Sequence, residues 1–484
     1  MNKYLATSIK HSCRLLYLAV LTVSAAVASQ FLIPPGFAQS GNENALAAVR
    51  RSDNATQDGT GNVAKLTPGE HMRRASIYMN NRAFAEARRH WQALLDYYPG
   101  DSRVAEAMLG IGRSYFQAKD YAKAYGVFDQ LARDYSQIKE GREGLNFSAA
   151  SLLRMARFQE AAARYAEYVA RFPTGERVET AHLNVIDTLR EADQPQDALT
   201  WIAKTKQRFA GTATETNAIF AELRLRIAEG DWADAIEAAN QLSRRSFNKL
   251  VLTSPNEVAY LKGFSYERAG KREQAIASYL SIPDGPESYY GWLASRHLKK
   301  LAPKESLVSE REDQVNSSIA AVADAYPAPY RDALVKASKA RKIDPRFLLA
   351  LMRQESVFKP LAKSPAGARG LLQLTIDAAQ KYAAAAGLPT LRENQLYEPS
   401  TSIVLGAEYV EELSSMFPQQ LEAVAASYNG GEDNVARWVR RAKHKDAGVF
   451  TAEIGFDETK GYVQKVMANY RVYTQLYTQD LMRR

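Results

Sequence analysis

An alanine recurs at intervals of 37 residues through the first half of the chain, and this spacing restricts the fold more than any other sequence feature. Repeats of this length, with a small residue and an aromatic residue at fixed offsets, form pairs of helices that stack into a solenoid. The small alanine lets neighbouring helices approach closely. A looser sixth copy occupies residues 272–275. The five regularly spaced alanines are Ala87, Ala124, Ala161, Ala198 and Ala235.

The repeat resembles the tetratricopeptide repeat, so we predict an all-α fold that begins with an α-solenoid of tetratricopeptide-like helix pairs over residues 69–285. Aromatic residues such as Tyr115, Tyr165 and Phe172 are expected to pack between helices rather than to bind a ligand. Because solenoid repeats contact mainly their neighbours, the remaining domain is expected to fold without residues 69–285. The repeats are candidates for binding protein partners.

The N-terminus carries the pattern of an export signal. Basic residues precede an apolar segment over residues 15–28, and small residues offer cleavage sites after Ala28 or Ala38. The alternative is an uncleaved anchor that runs to Ile33, but a membrane span needs roughly 20 apolar residues. We predict a signal peptide over residues 1–38 and no stable membrane anchor.

Composition narrows the range of partners. Residues 39–68 are polar and lack sustained periodicity, which predicts a flexible linker. The net charge of +9 fits an acidic polymer partner as well as plain solubility, and no basic run indicates nucleic-acid binding. The one cysteine, Cys13, lies in the predicted signal peptide, so no disulfide is expected. The six histidines do not pair at metal-ligand spacing, and we predict neither a metal site nor a cofactor.

A carboxyl group interrupts the apolar face of a helix that is predicted to start at Pro345. Asp344 can cap this helix, and Leu351 and Met352 share a face with Glu355. Burial raises the pKa of a carboxyl, which suits a general acid that works near neutral pH. A helix-end glutamate that turns into solvent is the alternative interpretation of Glu355.

A loop of small residues over residues 364–370 follows this helix. Its glycines allow the backbone to approach a ligand closely. The carboxyl, this loop and the amide of Gln373 together predict a sugar-binding crevice. Ordinary turn chemistry for the glycines and a solvated Gln373 are the alternatives. Thr375 can cap the helix that follows.

Three segments then resemble, in order and spacing, the catalytic domain of soluble lytic transglycosylases, which has a goose-type-lysozyme-like helical fold. The family patterns are ESxF, GxxGLMQ and AYNxG. Leu372 replaces the usual Met and Ser427 the usual Ala, both with side chains of tolerable size. Residues 458–463 resemble the family element ETRxYV, with Lys460 in place of Arg, which leaves any ion pair there open. The three matching segments are residues 355–358, 367–374 and 427–431.

The resemblance also sets the domain organisation. A Tyr-Tyr-Gly-x-Leu-Ala run from Tyr289 is similar to the linker helices of this family, so residues 286–325 are predicted to be linker helices. Residues 326–484 are predicted to form the lysozyme-like catalytic domain.

The family implies cleavage of the bond between N-acetylmuramic acid and N-acetylglucosamine in peptidoglycan glycan strands. Glu355 would protonate the leaving oxygen and then, as a carboxylate, take the proton of the 6-hydroxyl that attacks C1. The product is a 1,6-anhydromuramoyl end. No second acid lies near Glu355 in the sequence, whereas ordinary glycosidases use two carboxylates. Export and this activity together imply a periplasmic protein.

The resemblance further implies substrate-binding roles for five residues. Ser364 would hydrogen-bond the acetamido group, and Gln373 would bind sugar or orient Glu355. Tyr428 and Asn429 would line the opposite side of the crevice, with the Tyr428 hydroxyl near the reaction centre. Glu458 would support the site from the C-terminal helix.

Two functions of other kinds stay open at this point. A hydrolytic muramidase would use water in place of the 6-hydroxyl. A non-enzymatic scaffold would bind peptidoglycan without cleaving it.

Overall fold

The computed structural model describes residues 43–56, 63–364 and 366–484, and in these ranges the chain is helical without a β-sheet. The all-α prediction is therefore confirmed. The predicted signal peptide, residues 1–38, lies outside the described residues. No helix in the described ranges combines the length and the apolar character that crossing a bilayer requires.

One N-terminal helix and six helix pairs make up the first half of the structure. The N-terminal helix is α1 (Glu43–Thr56). The pairs are α2 (Pro68–Asn80) with α3 (Phe84–Tyr97), α4 (Val104–Gln117) with α5 (Tyr121–Asp134), α6 (Lys139–Arg154) with α7 (Phe158–Arg171), α8 (Val178–Glu191) with α9 (Pro195–Arg208), α10 (Ala213–Glu229) with α11 (Trp232–Leu242), and α12 (Pro255–Arg268) with α13 (Arg272–Leu280).

In each of the first five pairs, the turn between the two helices has the same backbone conformation, which recurs every 37 residues. Two residues before each second helix, the backbone is left-handed, and the recurring alanine in that helix is fully buried. The stacked pairs confirm the solenoid prediction. The left-handed residues are Arg82, Lys119, Ala156, Asp193 and Gly230.

The flexible linker predicted for residues 39–68 is wrong for residues 43–56, which form α1. The buried Asp53 accepts a hydrogen bond of 2.6 Å from the Tyr78 hydroxyl and pairs with Arg74 and with His90 Nε2 at 3.0 Å. These partners lie on α2 and α3, so a buried carboxylate, together with the apolar contacts of Val49 and Leu46, holds α1 against the first pair. A search for hydrophobic periodicity does not detect such a helix.

The second half contains two connecting helices and the helices of the predicted catalytic domain. Helix α17 (Pro345–Ser356) is buried from Pro345 to Met352 and packs against the long C-terminal helix α23 (Asp457–Leu476). The connecting helices are α14 (Tyr289–Leu301) and α15 (Ser306–Ala321). The helices of the predicted catalytic domain are α16 (Arg331–Arg341), α17 (Pro345–Ser356), α18 (Ile376–Ala383), α19 (Pro399–Met416), α20 (Leu421–Gly430), α21 (Glu432–Ala442), α22 (Ala447–Glu453) and α23 (Asp457–Leu476). Short 3₁₀ helices lie at Ala323–Ala325 and Glu393–Tyr397.

Buried charges join the solenoid to the catalytic domain. Glu453 at the end of α22 is 1% exposed and pairs with Arg190 of α8, Arg224 of α10 and Arg441 of α21. Removing the solenoid would take Arg190 and Arg224 away from Glu453 and would expose the apolar surface of a core cluster that runs across both domains, from Ile219 to Leu481. The structure therefore argues against the expectation that the catalytic domain folds without residues 69–285.

Candidate active site

Glu355 lies in the last turn of α17, and both ends of this helix follow the predicted pattern. Asp344 caps the start by accepting a hydrogen bond of 2.9 Å from the Arg346 amide, and Pro345 occupies the first turn. At the other end, Val357 (φ 49°) and Phe358 (φ 61°) are both left-handed. A left-handed β-branched residue is rare and costly, and such strain gathers at functional sites.

The carboxyl of Glu355 is half-buried and accepts a hydrogen bond of 2.6 Å from the Tyr462 hydroxyl at Oε1. The pKa of Glu355 is raised to about 7: burial raises it most, the hydrogen bond from Tyr462 lowers it, and the negative charge of Glu458 adds a smaller upward shift. A carboxyl with this pKa can donate and accept a proton near neutral pH, as general acid-base catalysis requires.

Tyr462 is the site residue that the sequence analysis missed. It belongs to the segment of residues 458–463 that resembles a family element, and it lies four positions after Glu458 on α23, which places both side chains on one helix face. The four-residue spacing between Glu458 and Tyr462 was the sequence signal that could have identified Tyr462 as a site residue. The contact with Glu355 also requires α17 to pack against α23, which the sequence does not show.

Glu458 is a second acid at this site, although none lies near Glu355 in the sequence. Burial of its carboxyl raises the pKa of Glu458, and its charge acts on Glu355. Two nearby carboxyl groups that both resist ionisation favour a state in which one of them holds a proton. The structure thus places Glu458 where it can affect catalysis through the charge of Glu355.

The small-residue loop is tied to the end of α17. Ser356 Oγ donates a 2.8 Å hydrogen bond to the Leu371 carbonyl. Gly370 is left-handed, and a Cβ there would lie 1.9 Å from the Leu396 carbonyl oxygen, so only glycine fits. The glycine at position 370 therefore allows close packing of the loop against Leu396 inside the protein.

Two predicted sugar-binding residues of the loop make contacts within the loop itself. Gln373 Nε2 donates to the carbonyls of Gly370 at 2.8 Å and Ala362 at 3.1 Å. Ser364 Oγ accepts from the Ala368 amide at 3.1 Å. These contacts shape the loop, and direct binding of sugar by Gln373 and Ser364 stays a prediction.

The third segment joins the same site. The Tyr428 hydroxyl donates to the Leu372 carbonyl at 2.7 Å, and the charge of Glu355 acts on the Tyr428 phenol. Asn429 Oδ1 accepts a 2.6 Å hydrogen bond from Thr459 Oγ1, beside Glu458. Segments that lie far apart in the sequence are therefore linked by hydrogen bonds around Glu355.

The ion pair that the sequence left open at Lys460 is an interdomain pair. Lys460 Nζ lies 3.2 Å from Glu257 Oε1 on α12 and donates to the Leu252 carbonyl at 3.0 Å. The residue after Thr459 thus attaches α23 to the solenoid.

Comparison with known proteins is consistent with both halves of this structure. Residues 332–450 match the family model for the transglycosylase SLT domain, and residues 72–137 match that for the tetratricopeptide repeat. A putative soluble lytic murein transglycosylase from Haemophilus influenzae is 39% identical over 178 residues, covering 37% of this chain and 29% of the relative. The soluble lytic murein transglycosylase of Salmonella typhimurium is 33% identical over 145 residues, covering 30% of this chain and 22% of the relative.

These alignments span less than a third of the length of either relative. Among solved structures, an inactive mutant of the lytic transglycosylase Slt from Pseudomonas aeruginosa superimposes with a TM-score of 0.52 at 20% identity. This match covers 90% of the present chain and 85% of the other, and it supports the fold. The sequence resemblance is confirmed for the catalytic domain and for the repeats.

Proposed function

We propose that this chain, which carries a transglycosylase SLT domain behind tetratricopeptide repeats, is a peptidoglycan lytic transglycosylase. It would cleave the β-1,4 bond between N-acetylmuramic acid and N-acetylglucosamine without water, for remodelling or turnover of the cell wall. The observation that carries the proposal is Glu355, a half-buried carboxyl with a pKa of about 7 that is held by the Tyr462 hydroxyl.

The reaction then needs one proton that leaves Glu355 and one that returns. Protonated Glu355 donates to the glycosidic oxygen, and the bond from C1 to that oxygen breaks. The substrate's own 2-acetamido group stabilises the positive anomeric carbon. The Glu355 carboxylate takes the proton of the 6-hydroxyl, whose oxygen bonds to C1 and closes the 1,6-anhydro ring. The acid is regenerated and no water is consumed.

The other predicted residues receive supporting roles in this scheme. Ser364 and Gln373 bind the sugar beside the shaped loop, and Tyr428 and Asn429 line the opposite wall. Glu458 keeps the pKa of Glu355 high through its charge, which is consistent with its position on α23.

Location and domain organisation follow the same proposal. Residues 1–38 direct export to the periplasm, residues 69–285 form the superhelix, residues 286–325 connect, and residues 326–484 catalyse. The repeats would offer a surface to cell-wall proteins.

Product analysis tests the reaction directly. Purified full-length protein is incubated with murein sacculi, and the released muropeptides are separated and weighed by mass spectrometry. We expect 1,6-anhydromuramoyl ends, which are one water lighter than hydrolysis products. Hydrated reducing ends would identify a muramidase, and binding without cleavage would identify a scaffold; either result contradicts the proposal.

The hydroxyl of Tyr462 should set the pH range of activity. As a general acid in the first step, Glu355 is active when protonated, so kcat/KM should fall as pH rises through about 7. The bond from Tyr462 lowers the pKa of Glu355, so Tyr462→Phe should move this falling limb to higher pH. It should also reduce kcat about tenfold, because the carboxylate loses a hydrogen bond. Saturation kinetics across the pH range give kcat and kcat/KM separately and so measure both effects.

Tyr470→Phe is the matched control, because Tyr470 lies on the same helix and its hydroxyl donates to Asp344 at 2.9 Å, at the opposite end of α17. The falling alkaline limb of kcat/KM should stay at the same pH in Tyr470→Phe as in the unmodified protein. An equal shift in both variants would show that the effect comes from helix packing.

A further inference from the structure

Two arginines from different domains converge on one neutral side chain beside the candidate active site. Arg154, the last residue of α6, donates to Asn434 Oδ1 at 2.6 Å. Arg437 of α21 donates to the same oxygen at 2.8 Å. Asn434 in turn donates through Nδ2 to the Gly430 carbonyl at 2.7 Å. Gly430 directly follows Asn429, so the arginine pair adjoins the Tyr428 and Asn429 wall of the crevice.

The positive charge of this pair is not fully compensated. Among the described residues, Arg154 has no ion-pair partner and has Asn434 as its one hydrogen-bond acceptor. The nearest acid of Arg437 is Glu191 at 3.4 Å, which Arg441 shares at 3.5 Å. The surrounding network contains five arginines and three buried or half-buried acids. They are Arg154, Arg190, Arg224, Arg437 and Arg441 against Asp187, Glu191 and Glu453.

The pKa shifts of the two guanidinium groups are consistent with this excess of arginines over acids. Burial lowers the pKa of Arg154, and the negative charges of Asp433 and Glu191 oppose this shift. The pKa of Arg437 is lowered to about 10: burial lowers it most, Glu191 opposes this shift, and the positive charges of Arg154 and Arg441 lower it as well. Cations that are desolvated and repel each other gain stability from an anionic ligand.

Access and geometry decide which anion fits. The Arg154 side chain is half-buried and that of Arg437 is 12% exposed, so a ligand would reach the pair mainly at Arg154. A guanidinium has five N–H donors in a planar fork that matches a carboxylate, and most of those of Arg154 have no acceptor in the described part of the chain. Peptidoglycan strands carry carboxylates on their stem peptides and, where stems are absent, on the lactyl group of N-acetylmuramic acid.

We propose that Arg154 and Arg437 form a carboxylate-binding site for the peptidoglycan strand, built jointly by the solenoid and the catalytic domain. The inference rests on the proposed function for the identity of the polymer. It gives the solenoid a direct part in substrate recognition, because Arg154 lies on a repeat helix.

Binding to an uncleaving protein tests the site apart from catalysis. Full-length Glu355→Gln protein is titrated calorimetrically with three tetrasaccharides. The first is a murein tetrasaccharide with stem peptides, the second is the same glycan with stems removed, and the third is chitotetraose, which has no carboxylate. Each is repeated with Arg154→Gln added. Arg171→Gln is the control, because Arg171 is a surface residue on the neighbouring helix α7.

We expect Arg154→Gln to reduce affinity for a carboxylate-bearing ligand about tenfold relative to chitotetraose, the size of one charge-assisted hydrogen bond. Arg154→Lys keeps the positive charge in the interface, so its affinity for these ligands should fall less than that of Arg154→Gln. A loss with the peptide-bearing glycan alone identifies the stem carboxylate, and a loss with the stem-free glycan alone identifies the free lactyl carboxylate. A loss with both shows that the site accepts either carboxylate. Equal effects on all three ligands, or none, would overturn the site. Absence of anhydro products from the unmodified protein would instead refute the proposed function.

Discussion

Glu355→Gln should abolish cleavage of peptidoglycan and leave the fold and the binding of glycan intact. Glutamine fills nearly the same volume and can still accept a hydrogen bond from Tyr462, but it can neither deliver nor retrieve a proton. General acid-base catalysis contributes roughly 10²- to 10⁴-fold. Because one group performs both proton transfers in the proposed mechanism, we expect the upper end of that range or more. Release of soluble muropeptides, normalised to bound protein, measures the loss.

Glu458→Gln is the informative companion variant. Its charge raises the pKa of Glu355, so removing that charge should move the alkaline limb of kcat/KM to lower pH and reduce activity at pH 7 only in part. A tenth or more of the original rate in Glu355→Gln would contradict the assignment of the acid. A larger loss in Glu458→Gln than in Glu355→Gln would point to a mechanism in which the second carboxylate acts directly.

The solenoid was predictable because its signal is periodic, whereas the turns inside its pairs were not. The buried alanines repeat every 37 residues, and close packing of helices demands a small residue there. The left-handed turn positions repeat with the same spacing, yet Arg82, Lys119 and Ala156 are not residues that favour this conformation. Only Asp193 and Gly230 favour it, so the stacked pairs impose the turn at the other three positions and local sequence preference signals it at two of five.

The candidate site was predictable as three segments but not as a set of contacts. The order and spacing of residues 355–358, 367–374 and 427–431 indicated one crevice. The contact of Tyr462 with Glu355 depends on how α17 packs on α23. Gln373 is a polar residue of the loop whose amide proves to bind the loop backbone. Sequence indicates which residues share a site, while their partners depend on tertiary packing.

The contact between the solenoid and the catalytic domain was the feature least predictable from the sequence. Arg190 and Glu191 at the end of α8 have the composition of a solvated helix end. In the structure both side chains are nearly inaccessible, at 2% and 3%, because the catalytic domain covers them. Charges buried by a partner domain cannot be distinguished from surface charges by periodicity alone.

Glu453→Gln should therefore destabilise the protein more than any single change outside the hydrophobic core. Glutamine keeps the volume but removes the closer of the two acids that Arg190, Arg224 and Arg441 share, and leaves them Asp187 at 3.4–3.7 Å. Breaking a buried ion pair on one side costs about 3–5 kcal/mol. Differential scanning calorimetry should show a lower transition temperature and a separation of the solenoid transition from the catalytic-domain transition. Glu160→Gln, which removes a surface partner of Arg157, should leave the transition unchanged.

The dependence on pH distinguishes loss of the charge from a general packing defect. Burial raises the pKa of Glu453, but the three arginines lower it more, to about 2, below the ordinary value of about 4.3. Because the folded-state pKa is depressed, the stabilisation is present above about pH 4 and is lost as pH falls toward 2. The difference in transition temperature between the unmodified protein and Glu453→Gln should shrink over that window. A difference that stays constant from pH 5 to pH 2 would show that the effect of the substitution is steric rather than electrostatic.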